Sequence, residues 1–125
     1  MNSDLLAVSN NPLVWEHVGE RCRRVEGGAL QVLYAGLQLL GAGGCLLHAH
    51  PVAGNARLLH NPYRTIVVEA GRQPPQAELH RQLGILEYFI RKLEAMDGTV
   101  PASTTEDYRL VDYSLFKSYW PGAAE

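Results

Sequence analysis

The chain has little cysteine, little excess charge and no long apolar run. Two of its 125 residues are cysteines, Cys22 and Cys45. Two thiols cannot build the disulfide framework of a small secreted domain. Each stands at the expected start of a strand, where a reduced cysteine packs as a small apolar residue. The formal net charge is -2. Nucleic acids and acidic membrane surfaces demand clustered Lys and Arg, so neither is an expected partner. The densest basic stretch, Arg21-Cys22-Arg23-Arg24, is short and reads as a solvated strand entry. No segment approaches the roughly 20 apolar residues of a membrane span. Met1-Asn2-Ser3-Asp4 and the brief run Leu5 to Val8 lack the form of a secretory signal, and a cytoplasmic location is the expectation. A Gly-x-Ser-x-Gly elbow, a His-Glu-x-x-His helix and a P-loop lysine are all missing, which leaves those chemistries without a motif.

What is present describes one globular domain over residues 1–125. Hydrophobic residues make up 46% and charged residues 19%, a balance that suits a single packed core. Leu5 to Val8 reads as a buried strand, and Ser9-Asn10-Asn11-Pro12 as a helix start with an asparagine cap and proline in the first turn. A short helix from about Pro12 to Gly19 follows, then a weaker strand from Cys22 to Glu26. Gly27-Gly28 breaks the chain before a helix over about 28–40, with Leu30, Leu33, Tyr34, Leu37 and Leu40 at helical spacing. Cys45 to Ala49 is a third strand, apolar enough to be covered on both faces. Arg64 to Glu69 is a fourth, built on the β-branched run Thr65-Ile66-Val67-Val68. A long amphipathic helix spans Gln76 to Ala95, its stripe of Leu79, Leu83, Leu86, Ile90 and Leu93 facing the core. The same stripe could serve as a partner-helix seam, which leaves a homo-oligomer open. Asp97 to Asp107 is a polar connector. In the tail 97–125, packed on the domain, Tyr108, Leu110 and Val111 are candidates for an edge strand and Ser114 to Tyr119 for a last helical turn.

This order predicts an α/β three-layer sandwich: a four- or five-stranded, mostly parallel, Rossmann-like sheet with helices on both faces. Right-handed crossovers place strand one between strands two and three, with the first helix on one face and the second on the other. The two cysteines then lie two strand spacings apart, about 10 Å, beyond the roughly 7 Å that a disulfide spans. A switch point arises between strands one and three, the place where ligands enter open α/β sheets.

Two loops would arrive there. One is Asn10-Asn11-Pro12, which could offer amide side chains and helix N-terminal N–H groups to an anion. The other is His50-Pro51-Val52-Ala53-Gly54-Asn55. Gly54 permits a close backbone approach, and Asn61-Pro62-Tyr63 would return over the same edge with Tyr63 as a wall. Gly27 adds a minimal anion loop. The expected ligand-binding set is therefore Asn10, Asn11, Gly27, His50, Gly54, Asn55, Asn61 and Tyr63. His48, His50 and His60 invite a metal, with Glu26 as a further ligand, but catalytic zinc needs three placed protein ligands and the spacing supplies two. No metal and no cofactor are expected. His50 is the one candidate for an acid/base role, with water as nucleophile, and whether the protein is an enzyme stays open.

Several of these pieces also resemble a known family. Ser9-Asn10-Asn11-Pro12-Leu13, Val25-Glu26-Gly27, His50-Pro51-Val52-Ala53-Gly54-Asn55, Asn61-Pro62-Tyr63 and Asp107-Tyr108-Arg109-Leu110-Val111-Asp112 resemble the GrdX family over nearly the whole chain. The loop departs from the family pattern at Ala53 and at Ala56-Arg57. That family is associated with the glycine/sarcosine/betaine reductase system, and it brings no settled molecular activity. The resemblance implies an accessory protein that binds a small anionic or amino-acid-like ligand, or a glycine reductase component, at the Asn10/His50/Asn55 crevice. Two other classes remain beside it. One is a small hydrolase or transferase using His50; the other is an interaction module using the aromatic tail Tyr108 to Trp120.

Overall fold

In the computed structural model, residues 5–49, 61–95 and 105–120 are described. Four strands form one sheet: β1 (Leu5–Ser9), β2 (Cys22–Arg24), β3 (Cys45–Ala49) and β4 (Thr65–Ala70). Among the described residues four α-helices accompany them: α1 (Pro12–Val18), α2 (Ala29–Gly41), α3 (Gln76–Ala95) and α4 (Thr105–Lys117). A 3-10 turn, Gly19–Arg21, links α1 to β2.

The sheet order is β2-β1-β4-β3. β1 pairs with β2 in parallel, but with β4 antiparallel, and β4 pairs antiparallel with β3. The expected mostly parallel sheet, with β1 next to β3, is therefore corrected to a mixed one. The order fails because β4 enters antiparallel between β1 and β3, from the edge where both of those strands end. Its run of Ile66, Val67 and Val68, all buried, suits that central position. Cys22 and Cys45 are both free. They now sit three strand spacings apart, about 14 Å, rather than two. Burial pushes the Cys22 thiol up to about 11, against the Arg24 charge and a Ser9 backbone bond.

The period-two alternation of β1 and β4 divides the core. Val8, Ile66 and Val68 face α2 and α3, where they meet Val32, Leu33, Leu40, Leu86 and Ile90. Leu5, Ala7 and Val67 face α1 and α4, where they meet Val14 and Phe116. Helices thus cover both faces, with α1 and α2 on opposite sides as the crossover rule requires. The stripe of α3 is core at its centre, with Leu86 and Ile90 buried. β3 is an edge strand instead of a doubly covered one. Cys45 and Leu47 pack on the α2–α3 layer, while His48 is exposed. The Leu47 N–H donates to Gln82 Oε1 of α3 at 2.9 Å, so a side chain closes the free edge.

The tail corrects a second expectation. Tyr108, Leu110 and Val111 belong to helix α4, not to a fifth strand. Tyr108, Asp112 and Phe116 are its buried residues, four apart, and that period turns one face toward the sheet. A polar residue in the middle of the face masked the pattern. Among the described residues, no helix is long and apolar enough to cross a membrane.

Gly36 of α2 lies over β4 so closely that a Cβ there would stand 2.9 Å from Ile66 Cδ1 and 3.6 Å from Leu86 Cδ1. Gly36→Val is expected to overpack this layer and cost about 1–3 kcal/mol. Urea denaturation measures it; a cost near zero would show that Ile66 and α3 yield freely.

Candidate functional site

β1 and β3 both end at the edge where β4 begins. Val67 of β4 is paired with Ala7 on one side and Ala49 on the other. The chain therefore leaves β3 at the same end of the sheet as it leaves β1. The segment 50–60, with His50, Gly54, Asn55 and His60, lies outside the described residues. Asn61, on its far side, is already at this edge, its Nδ2 donating to the Tyr108 carbonyl at 3.0 Å.

Three polar side chains end β1. Ser9 and Thr65 are cross-strand partners and their hydroxyls are 2.7 Å apart. Thr65 Oγ1 donates to Asp112 Oδ2 at 2.8 Å. Ser9 is then left as donor to Thr65, and its 3.3 Å approach to the Arg64 carbonyl takes the weaker share of the same proton. Asn10 Nδ2 donates to the Gly27 carbonyl at 3.0 Å and the Pro62 carbonyl at 2.8 Å, while its Oδ1 accepts from the Arg64 N–H at 2.8 Å. One amide thus holds the loop after β2 and the entry to β4. Gly27 can turn its carbonyl there because its φ is 109°, a conformation that favours glycine.

Asn11 points the other way. Its Oδ1 caps α1 by accepting from Leu13 N at 3.1 Å. Its Nδ2 donates to the Arg109 carbonyl and to Asp112 Oδ2, both at 3.0 Å. These bonds dock α4 against the end of β1. Tyr63 is set by its N–H donating to Asn61 Oδ1 at 2.9 Å, and the Arg109 guanidinium lies 5.2 Å above the Tyr63 ring centre.

Asn10, Asn11, Gly27, Asn61 and Tyr63 thus meet at one junction. The amides of Asn10 and Asn11 are nonetheless spent inside the fold. Both residues are buried. The Leu13 N–H that an anion would seek is taken by Asn11, and the Gly28 N–H is taken by Gln31 Oε1 at 2.9 Å. Their first role is to fix the edge of the sheet at which β1 and β3 end. His48 stands exposed on β3. Among the described residues no group of three His, Cys, Asp or Glu side chains could hold a metal; His50 and His60 are not among those residues.

Sequence reasoning missed Ser9, Arg64, Thr65, Arg109 and Asp112. All except Arg109 and Thr65 are buried. Burial pushes the Asp112 carboxyl above the ordinary carboxylate range, opposed by the bonds from Asn11 and Thr65 and by the Arg64 charge. Burial likewise lowers Arg64, and Asp112 opposes that shift. The missed signal was the spacing Tyr108, Asp112, Phe116, a polar residue set in an aromatic helical stripe. The same spacing puts Tyr108 and Phe116 in the core, which takes these two aromatics of the tail away from any partner surface.

The segments that meet here are those by which the sequence resembles a family, though they are spread over a hundred positions. The model of that family, described as GrdX-like protein, matches residues 6–120. The chain belongs to the GrdX-like family. No curated relative and no solved structure matches it. In this GrdX-like protein the Asn10-Asn11-Pro12 turn, Gly27, Asn61-Pro62-Tyr63 and the Asp107 to Asp112 segment are one hydrogen-bonded unit, and most of what they do to each other is structural.

Proposed function

We propose that this GrdX-like protein is an accessory factor of the glycine reductase system that binds without transforming what it binds. Its target is a small anionic or amino-acid-like ligand, or a reductase component. The binding edge is the end of the sheet where β3 stops before His50 and where Tyr63 is set. The observation that carries this reading is the common level of β1 and β3. Because Val67 pairs with both Ala7 and Ala49, the chain leaves β3 at the edge that Asn10, Asn61 and Asp112 make rigid. Loops on such a fixed frame are where α/β proteins meet their ligands. In this reading Asn10, Asn11, Gly27 and Asn61 hold the frame, and His50, Gly54, Asn55 and Tyr63 face the ligand.

Calorimetric titration with glycine, sarcosine, betaine and acetate tests it, beside co-purification with the reductase components. Saturable binding to one of these is expected, with the ligand recovered unchanged. His50→Ala and Asn55→Ala should abolish binding with little change in Tm. Absence of binding to every ligand and component would overturn the reading, and so would turnover of a bound ligand.

A further inference from the structure

Between α1 and the start of α4 lies a cavity of about 210 Å3, lined by Leu13, Glu106, Arg109 and Leu110. Its lining sets opposite charges beside apolar surface. Leu110 is 57% exposed, and Leu13 across the cavity is half-buried. Glu106 and Arg109 are one helical turn apart, yet among the described residues they form no ion pair with each other or with any other group. Arg109 is held elsewhere. Its carbonyl is fixed by Asn11 and its guanidinium is stacked on Tyr63. Its buried Nε has no hydrogen-bond partner. A guanidinium stacked on a ring keeps its N–H groups in the plane, ready for a carboxylate.

A simple anion would meet Glu106 on the same wall and be repelled, and a simple cation would meet Arg109. A ligand with both charges satisfies both walls, and an aliphatic body covers Leu13 and Leu110. We infer that this cavity binds a small aliphatic α-amino acid, its carboxylate on Arg109 and its ammonium on Glu106. The adjoining cavity, lined by Leu13, Glu16, His17 and Tyr113, lacks such a pair, because His17 Nδ1 is already bonded to Tyr113 Oη at 2.8 Å. The inference goes beyond the reading above and uses different residues. Only Tyr63, behind Arg109, belongs to both.

The test is a titration of the full chain, followed by the amide resonances of Leu13 and Leu110, with three probes. L-valine carries both charges, isovalerate lacks the ammonium and isobutylamine lacks the carboxylate. Valine is expected to bind saturably and more tightly than either truncated probe, by about fivefold, the worth of one partly exposed charge pair. Glu106→Gln should remove the preference for valine over isovalerate. Arg109→Gln keeps the carbonyl that Asn11 holds, and should lose valine and isovalerate alike at unchanged Tm. His50→Ala should leave the valine titration as it was. That variant separates the two sites: its loss of valine binding would move the ligand to the His50 loop and overturn this inference alone. The inference also fails if valine shifts neither leucine, if isovalerate binds as tightly as valine, or if Glu106→Gln changes nothing. If Arg109→Gln lowers Tm, the Glu106→Gln result decides.

Discussion

Asp112→Ala is expected to lower folding stability by about 2–6 kcal/mol, since it strands two buried hydrogen-bond donors at about 1–3 kcal/mol each. Asp112 is buried on the sheet-facing side of α4, and its Oδ2 accepts from Asn11 Nδ2 and Thr65 Oγ1. Its loss strands both donors and removes a negative charge that favours the charged form of the buried Arg64. Each stranded buried group has its own desolvation cost. The damage should also be local at first, since α4 is docked on β1 through Asn11 and Asp112. Urea denaturation followed by tryptophan fluorescence measures the loss. A cost below about 1 kcal/mol, the size of an ordinary surface change, would mean that water or a rearranged Arg64 replaces the carboxylate.

The same residue makes stability depend on pH. In the folded protein burial raises the Asp112 carboxyl above its ordinary value of 3.8. Between these two values the folded state binds the proton more than the unfolded chain does, so stability falls as pH rises. The contribution of the protonated group is full below 3.8 and is lost as pH climbs through the raised folded value. Asp112→Asn removes the titration. Its stability relative to the parent should therefore improve as pH rises through that window. A relative stability that falls or stays flat would show that the carboxyl is not raised.

Leu86→Ala should cost about 2–5 kcal/mol, the range for a core leucine that leaves a cavity. Leu86 is fully buried in the centre of α3, within the layer of Val8, Leu33, Ile66 and Ile90. Gly36 brings α2 within reach of it, so the layer is tight and cannot easily collapse into the space. The effect should be additive with that of Asp112→Ala, because the two residues lie on opposite faces of the sheet. A cost near 1 kcal/mol would favour an α3 stripe that awaits a partner helix.

The three elements read most accurately from the sequence have a strong local signature. α3 runs from Gln76 to Ala95 because its leucines and isoleucine repeat at the helical period. β3 begins at Cys45 after glycines that end α2, and α1 begins at Pro12 under an asparagine cap. The errors were of another kind. The tail was read as part strand because Asp112 interrupts an otherwise apolar face, and its compensation lies at Asn11 and Thr65, far away in the chain. The antiparallel insertion of β4 was missed because local pattern records that a strand is buried but not which neighbours bury it.

The candidate site divides in the same way. Types and order of residues were enough to single out Asn10, Asn11, Gly27, Asn61 and Tyr63, since asparagine, glycine and proline between apolar strands mark turns at the end of a sheet. Their sequence also placed the chain in its family. What the amides do there was decided by tertiary structure alone. An asparagine in a turn can face solvent, a ligand or a carbonyl, with equal local plausibility. Here the Gly27, Pro62 and Arg109 backbones and the Asp112 carboxylate reached these amides first. Covalent sequence thus determined the four strands and the first three helices, the two-sided layering and the end of the sheet that carries the polar turns, because each rests on periodicity or local backbone preference. The order of the strands, the helix of the tail and the burial of Asp112 against Asn11 rest on contacts between residues tens of positions apart, and only the folded chain brings those together.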